Sequence, residues 1–198
     1  MTPAAVILAG GASRRMGRPK ALLPFRGETI LDRLIGLYQT FCAPVIVVLG
    51  HSSSVIADGI RRGASVEFAI NPDPERGQLS SLQCGLALTR GEVALFTPVD
   101  YAAVEAATVA RLLEKMASSS EAALVAPNYH GRHGHPVLIR EYVKRDLLAL
   151  PPEGMAREVI HKYREASVYV DVDDGAVCQD LDRPEDYERL VAAEGARG

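Results

Sequence analysis

One segment near the start of the chain combines backbone freedom with positive charge. LAGGASRRMGRPKALLPF, residues 8–25, contains the adjacent glycines Gly10 and Gly11, followed by Arg15 and Lys20. Adjacent glycines let backbone N–H groups approach a phosphate closely, and basic side chains add charge. The whole chain carries a net charge of −3, which argues against a general nucleic-acid-binding surface. The segment therefore predicts a local anion site, although a solvated basic loop is the alternative.

Two familiar phosphate-binding loops do not fit this segment. A Walker A loop needs a glycine followed by Lys and then Ser or Thr, but Gly17 is followed by Arg18 and Pro19. A dinucleotide-binding loop needs G-x-G-x-x-G and an acid after the second strand, and the second apolar run ends in VLGHSSS. Pro19 also disfavours a long helix directly after the loop. The segment is predicted to be an anion-binding loop of a third kind.

Two aspartates are candidate metal ligands. Asp100 ends the apolar run EVALFTPVD, residues 92–100, and Asp182 follows the last predicted strand. Carboxylate oxygens suit Mg²⁺, so this pair could form a magnesium site that phosphate oxygens and water complete. Asp100 could instead cap the next helix, and Asp182 could belong to an acidic helix start in DRPED. Asp180 is the alternative second ligand.

Further polar side chains flank the same predicted elements. Ser80 and Ser81 could hydrogen-bond a base or ribose, or one of them could cap the helix that follows. Asn71 ends the third predicted strand, within NPDP, which is also an ordinary turn composition. The segment YHGRHGHP, residues 129–136, holds three histidines without cysteine or acid, which is a weak signal for zinc.

Short apolar runs and amphipathic segments alternate along the chain. The predicted strands include residues 4–9, 44–50, 65–70 and 92–100, and the predicted helices include residues 29–41, 53–62, 79–89 and 104–117. This alternation predicts an α/β fold, a three-layer, mostly parallel Rossmann-like sheet with helices on both faces. Because the carboxyl ends of parallel strands share one edge, we expect the glycine loop and Asp100 to meet there.

Composition indicates an ordinary globular protein. The chain has 198 residues, of which 47% are hydrophobic and 24% charged, so we expect a single domain spanning residues 1–198. Its three cysteines lie far apart, which is typical of reduced thiols in the cytoplasm. We find no signal peptide and no apolar run long enough to cross a bilayer. The expected location is cytoplasmic, with neither membrane nor nucleic acid as partner.

The basic segment also resembles a known signature. LAGGASRRMGRPKALLPF is similar to the signature of the MobA-like nucleotidyltransferases, which include the guanylyl- and cytidylyltransferases of molybdenum-cofactor maturation. Other similar segments follow in chain order: GQLSSLQCGL (77–86), TPVD (97–100), GRHGHPVLI (131–139) and DLDRPEDY (180–187). The resemblance implies a nucleotide-diphospho-sugar transferase fold, Mg²⁺ as cofactor, and transfer of a nucleoside monophosphate from a nucleoside triphosphate to a phosphorylated acceptor such as molybdopterin, with release of pyrophosphate. A molybdoenzyme or its chaperone is a further implied partner.

The resemblance also assigns roles to residues. Since the attacking phosphate is already anionic, this transfer depends on charge neutralisation and alignment more than on a general base. The implied catalytic residues are Arg15, which holds the β- and γ-phosphates, Lys20, which holds the α-phosphate, and Asp100. Asp100 and Asp182 are the implied metal ligands, and His135 lines the acceptor pocket. The implied nucleotide-binding residues are Leu8, Ala9, Gly10, Gly11, Arg15, Lys20, Asn71, Ser80 and Ser81.

The motifs give conflicting indications of which nucleotide base, cytosine or guanine, the site prefers. LAGG, with Gly11, is typical of the guanylyl branch, whereas the cytidylyl branch more often has LAAG. The SSL and GHPV segments resemble the cytidylyl branch over more positions, so we expect a modest preference for CTP over GTP. The chain also lacks the proline that the family often places two residues after the aspartate of TPVD. The alternatives are a sugar- or alcohol-phosphate nucleotidyltransferase and a non-catalytic nucleotide- or cofactor-binding chaperone.

Overall fold

Strands and helices alternate through most of the chain. The computed structural model describes residues 2–195. The strands are β1 (Ala4–Leu8), β2 (Pro24–Phe25), β3 (Glu28–Thr29), β4 (Val45–Leu49), β5 (Glu67–Ile70), β6 (Val93–Pro98), β7 (Leu124–Tyr129), β8 (Arg132–His133), β9 (Val137–Arg140) and β10 (Ser167–Asp171). The helices are α1 (Ile30–Gln39), α2 (Ser53–Gly59), α3 (Gln78–Leu88), α4 (Ala106–Ser118), α5 (Glu141–Ala149), α6 (Ala156–Lys162) and α7 (Pro184–Gly195). Within the described residues, no helix combines the length and apolar character needed to cross a membrane.

The main sheet has the strand order β10-β7-β9-β6-β1-β4-β5, and β8 pairs with β7. β1 runs parallel to β4 and β6, β4 to β5, and β7 to β10. β9 is antiparallel to both of its neighbours, β6 and β7. The predicted mostly parallel α/β sheet is therefore confirmed, with β9 as a reversed strand inside it.

The reversal of β9 follows from the short connection before it. A parallel crossover needs a dozen or more residues, usually including a helix. β7 ends at Tyr129 and β9 begins at Val137, and the intervening segment turns at His130 and Gly131, whose φ angles are 49° and 80°. So short a connection can only return the chain in the opposite direction. The apolar segment HPVLI, residues 135–139, predicts this strand but not its direction, and the sequence predicts neither β8 nor the β2–β3 hairpin.

Helices cover both faces of the sheet, as predicted. Ala5 and Ile7 of β1 pack into one hydrophobic cluster, which includes residues of α1 and α4. Val6 and Leu8 point to the other face, where α3 and α5 pack. All five residues of β1 are buried, which is why this strand has a continuous apolar sequence in place of an alternating one.

Helix α3 lies unusually close to the strands beneath it. A Cβ atom built on Gly85 would collide with the Val6 side chain and lie 2.7 Å from Val48 Cγ2. The missing side chain therefore permits the close approach of α3 to β1 and β4. This contact also fixes the first turn of α3, which carries Ser81, relative to the end of β1.

We predict that Gly85→Ala destabilises the protein by about 1–3 kcal/mol, because the new methyl group overpacks the interface between α3 and the sheet. The free energy of unfolding from urea denaturation measures this effect. Gly11→Ala is the matched control, since a Cβ at Gly11 would have no atom within 4 Å. Equal stabilities of the two variants would contradict the role of close packing at Gly85.

Candidate active site

A cavity of about 300 Å³ opens at the carboxyl ends of β1 and β6. Its walls include residues 8–11 after β1, residues 98–100 at the end of β6, Lys20, and Ser81 of α3. The glycine loop and Asp100 thus lie at one edge of the sheet, as the alternation of strands and helices predicts. We call this space the first cavity.

Local contacts within the glycine loop position Lys20. Ser13 has a positive φ of 49°, and its carbonyl oxygen accepts hydrogen bonds from the backbone N–H groups of Met16 and Gly17 at 3.0 and 3.2 Å. The Ser13 hydroxyl accepts another from the Lys20 N–H at 3.2 Å. Buried Ala21 then anchors the loop in the hydrophobic core. A single 3₁₀ turn follows Pro19, in agreement with the expectation that no long helix starts there.

The Lys20 ammonium lies between two carboxylates. Its Nζ is 3.1 Å from Asp100 Oδ2 and 3.1 Å from Asp182 Oδ1. Arg15 Nη1 lies 3.3 Å from Asp182 Oδ2 on the exposed side. The Lys20 side chain is only 11% exposed, so water screens its pairing with Asp100 less than it would on the surface. The structure therefore brings together four residues that are up to 167 positions apart in the chain.

Neither aspartate serves as a helix cap. Helix α4 follows Glu105, five residues after Asp100. At the start of α7 the side chain of Asp186 accepts the backbone N–H groups of Asp182 and Arg183, at 3.0 and 2.7 Å. The carboxylate of Asp182 is thereby left to face Lys20.

Burial makes Asp100 an electrostatically unusual carboxylate. Desolvation raises its pKa above the ordinary value, and the charges of Asp182 and Asp180 raise it further, while Lys20 lowers it. A second positive charge near Asp100 would therefore be favourable. Asp180 contributes charge here, whereas Asp182 contributes a carboxylate at contact distance from Lys20.

The paired carboxylates suit a hard divalent cation. They already hold the ammonium group of Lys20, and their oxygen atoms are the ligand type that Mg²⁺ and Mn²⁺ favour. Between residues 2 and 195, no group of three or more His, Cys, Asp or Glu side chains is arranged to hold a metal. A bound metal would therefore complete its shell with phosphate oxygens and water.

The two serines and Asn71 form one hydrogen-bonded unit. Asn71 Nδ2 donates to Ser80 Oγ at 2.9 Å and to Ser81 Oγ at 3.0 Å. The Ser80 hydroxyl donates to the carbonyl of Gly77, the residue that precedes α3. Neither serine caps this helix, because both lie inside its first turn, so that alternative is wrong. Ser81 lines the first cavity, whereas Asn71 and Ser80 are buried behind it.

A second cavity, of about 620 Å³, adjoins the first. Leu8 and Gln78 line both spaces and mark their junction. The wall of the second cavity includes His135 and Tyr101, whose ring centroids lie 4.7 Å apart. Tyr101 directly follows Asp100, so the second cavity begins beside the paired carboxylates.

His135 is a neutral imidazole in this wall. Burial lowers its pKa to about 4, and its Nδ1 atom is buried with no hydrogen-bond partner among the described residues. The other histidines of the segment do not join it in a metal site: His130 packs edge-on against Tyr129, and His133 stacks on Tyr169.

Sequence reasoning missed several residues of the second cavity. Tyr101 had a usable signal, since it follows Asp100 directly. Arg157 and Tyr169 had none, because α6 and β10 contribute no recognisable motif and only the fold brings them to this wall.

The mostly parallel sheet has the nucleotide-diphospho-sugar transferase fold, which defines the structural class of this chain. The chain belongs to the family of the MobA-like NTP transferase domain, whose model matches residues 5–167.

Relatives of known name span nearly the whole chain. The molybdenum cofactor cytidylyltransferase of Escherichia coli strain K12 is 25% identical over 182 residues, 92% of each chain. The nicotine blue oxidoreductase of Paenarthrobacter nicotinovorans is 29% identical over 199 residues, 94% of this chain and 95% of its own. Among solved structures, Rv0371c from Mycobacterium tuberculosis H37Rv has a TM-score of 0.84 at 26% identity, covering 97% of this chain and 98% of its own. Rv0371c has also been solved in complex with manganese.

We predict that His135 makes folding stability sensitive to mild acid. Its folded pKa of about 4 lies below the ordinary value of 6.5, so its contribution is fully present above pH 6.5 and is lost as the pH falls through 4. By linkage this contribution is about 3 kcal/mol. Urea denaturation at pH 7 and pH 4 should show a correspondingly smaller acid-induced loss in His135→Gln. The exposed His161, changed to Gln, is the control, and parallel pH profiles of all three proteins would disprove the prediction.

Proposed function

We propose that this protein transfers a nucleoside monophosphate from a nucleoside triphosphate, with CTP preferred over GTP, to a phosphorylated acceptor of the molybdopterin type, and that the reaction requires Mg²⁺ and releases pyrophosphate. The observation that carries this proposal is the Lys20–Asp100–Asp182 cluster, whose Lys20 and Asp100 line the first of two adjoining cavities. One cavity has the glycine loop of a phosphate site, and the other is large enough for a separate acceptor.

In the proposed reaction the triphosphate lies against the loop from Gly10 to Lys20. Backbone N–H groups there, together with Arg15 and Lys20, neutralise its charge and fix its position. Asp100 and Asp182 would hold the Mg²⁺, which supplies further positive charge to the phosphates. An oxygen of the acceptor phosphate attacks the α-phosphorus, the bond from that phosphorus to the bridging α–β oxygen breaks, and pyrophosphate leaves.

The chain's own residues do not need to remove a proton in this scheme. The attacking phosphate is anionic at neutral pH, so alignment and charge neutralisation carry the reaction. His135 is neutral at that pH, because burial lowers its pKa to about 4. We assign it to the wall that shapes the acceptor pocket. Ser81 faces the nucleotide, and Asn71 and Ser80 hold Ser81 in place.

The second cavity supports a planar acceptor over a sugar or alcohol phosphate. Its wall contains Phe96, Tyr101 and Tyr169 together with several aliphatic side chains. Aromatic faces suit a flat ring system, whereas a sugar needs many hydrogen-bonding partners for its hydroxyl groups. The pairing of Asp100, which lines the first cavity, with Asp182 through Lys20 favours catalysis over a binding-only chaperone.

We predict that Asp100→Asn lowers the rate of Mg²⁺-dependent pyrophosphate release from CTP by about 100-fold or more, because the metal loses a charged ligand. The fold should be kept, since the change removes a charge that burial disfavours. The assay uses molybdopterin as acceptor, and thermal melting reports folding. Asp180→Asn, which removes the neighbouring negative charge, is the control and should retain activity. A folded and fully active Asp100→Asn would refute the assignment.

We predict that Gly11→Ala strengthens the preference for CTP over GTP. The added methyl group finds no atom within 4 Å and therefore occupies open space beside the loop, which leaves less room for the larger purine. The shift should be roughly 10- to 200-fold at most, the range for one methyl group in a pocket. The measurement is kcat/KM for both nucleotides with the same acceptor, in the wild type and the variant. A strong preference of the wild type for GTP would contradict the proposed base specificity.

A further inference from the structure

The second cavity is free of negative side chains although the protein is acidic overall. The chain has 25 Asp and Glu residues against 22 Lys and Arg, yet no acid is found among the described residues that line this cavity. Its wall instead holds the two arginines Arg76 and Arg157. Such a charge distribution suits a ligand that is anionic as well as planar.

The guanidinium groups of the two arginines in this wall are available to a ligand. Among residues 2–195, the guanidinium groups of Arg76 and Arg157 have no hydrogen bond or ion pair, in contrast to Arg14, which pairs with Glu75 at 2.7 Å. A guanidinium presents a planar set of donors that matches carboxylate and other oxyanions. Both arginines can therefore bind an anionic group without first breaking a contact within the protein.

The two arginines come from different elements of the chain. Arg76 lies two residues before Gln78, which lines both cavities and marks their junction. Arg157 lies on α6, and neither α6 nor β10 contributes to the first cavity. Arg157 therefore belongs to a part of the second cavity wall that the first cavity does not share.

A flat side-chain surface accompanies Arg157. His133 and Tyr169 stack with ring centroids 3.5 Å apart and an angle of 5° between their planes. Both residues line the second cavity, and stacking fixes their orientation. A planar ring in the cavity can pack against aromatic side chains while its substituents reach Arg157.

From this arrangement we infer that the acceptor carries a second anionic group in addition to its attacking phosphate, and that Arg157 binds this second group and determines acceptor specificity. The inference rests on the proposed function. The attacking phosphate must reach the Lys20–Asp100–Asp182 cluster beside the first cavity, whereas Arg157 lines only the second cavity. Arg76, which lies two residues before Gln78 in the chain, is the arginine that we assign to the attacking phosphate.

Two fluorescent probes test this inference without requiring turnover. Pterin-6-carboxylate and 6-hydroxymethylpterin share one planar ring and differ in the charge of a substituent. Their binding is followed by quenching of pterin fluorescence in the wild type, Arg157→Gln, Arg157→Lys and Arg164→Gln. Arg164 is the matched control because it is an exposed arginine nearby in sequence that lines neither cavity.

Wild type should bind the carboxylate more tightly than the hydroxymethyl compound. Arg157→Gln should weaken carboxylate binding about tenfold, the effect of losing one charge-assisted contact, and should leave hydroxymethyl binding unchanged. Arg157→Lys should restore part of the loss, and Arg164→Gln should match the wild type. Equal effects of Arg157→Gln on both probes, no effect on either, or failure of the wild type to bind the carboxylate would overturn the inference.

Binding of CTP with Mg²⁺, measured by calorimetry on the same proteins, separates this inference from the proposed function. All four proteins should bind the nucleotide equally, because Arg157 does not line the first cavity. If the pterin results are as expected but no protein binds a nucleoside triphosphate, the proposed function fails while the anion specificity of the second cavity stands.

Discussion

The pairing of one ammonium group with two carboxylates organises this structure. Lys20 comes from the loop after the first strand, Asp100 from the end of β6, and Asp182 from the segment before the last helix, and both carboxylates lie 3.1 Å from the same Nζ. Two carboxylates repel each other at this range unless a cation lies between them. Lys20 supplies that cation in the structure. In the proposed function Asp100 and Asp182 would hold a metal that supplies this positive charge, and Lys20 would be available to the phosphates.

The sheet makes this pairing possible. β1 and β6 are adjacent and parallel, so the loop after one and the aspartate after the other emerge side by side. The reversed strand β9 then sets where the second cavity lies, because the short connection from β7 carries His133 and His135 into its wall. Gly85 lets α3 approach the strands and place Ser81 at the first cavity. The fold and both cavities therefore depend on the same few strand ends.

The sequence predicts the first cavity much better than the second. Apolar runs such as AAVILA identify buried strands, and the rule that parallel strands share a carboxyl edge is enough to bring Lys20 and Asp100 together. Asp182 is harder, because DRPED is equally a helix start; only the structure shows that Asp186 takes the capping role. Arg157, His133 and Tyr169 could not be predicted, since the reversed β9 and the side-by-side pairing of β7 and β10 have no local signature. The named relatives, which include a nicotine blue oxidoreductase, do not identify the acceptor either. The acceptor is therefore inferred from the residues that line the second cavity.

The most direct test of whether a metal replaces Lys20 between the two aspartates is a crystal structure with Mn²⁺ and a CTP analogue. In this analogue a methylene group replaces the α–β bridging oxygen. Anomalous scattering locates the manganese independently of the fitted coordinates. We expect one manganese ion bound by carboxylate oxygens of both Asp100 and Asp182 and by the triphosphate, with the Lys20 ammonium on a phosphate oxygen. Manganese bound to the triphosphate away from both aspartates, with Lys20 still bridging the two carboxylates, would contradict the proposed role of the cluster.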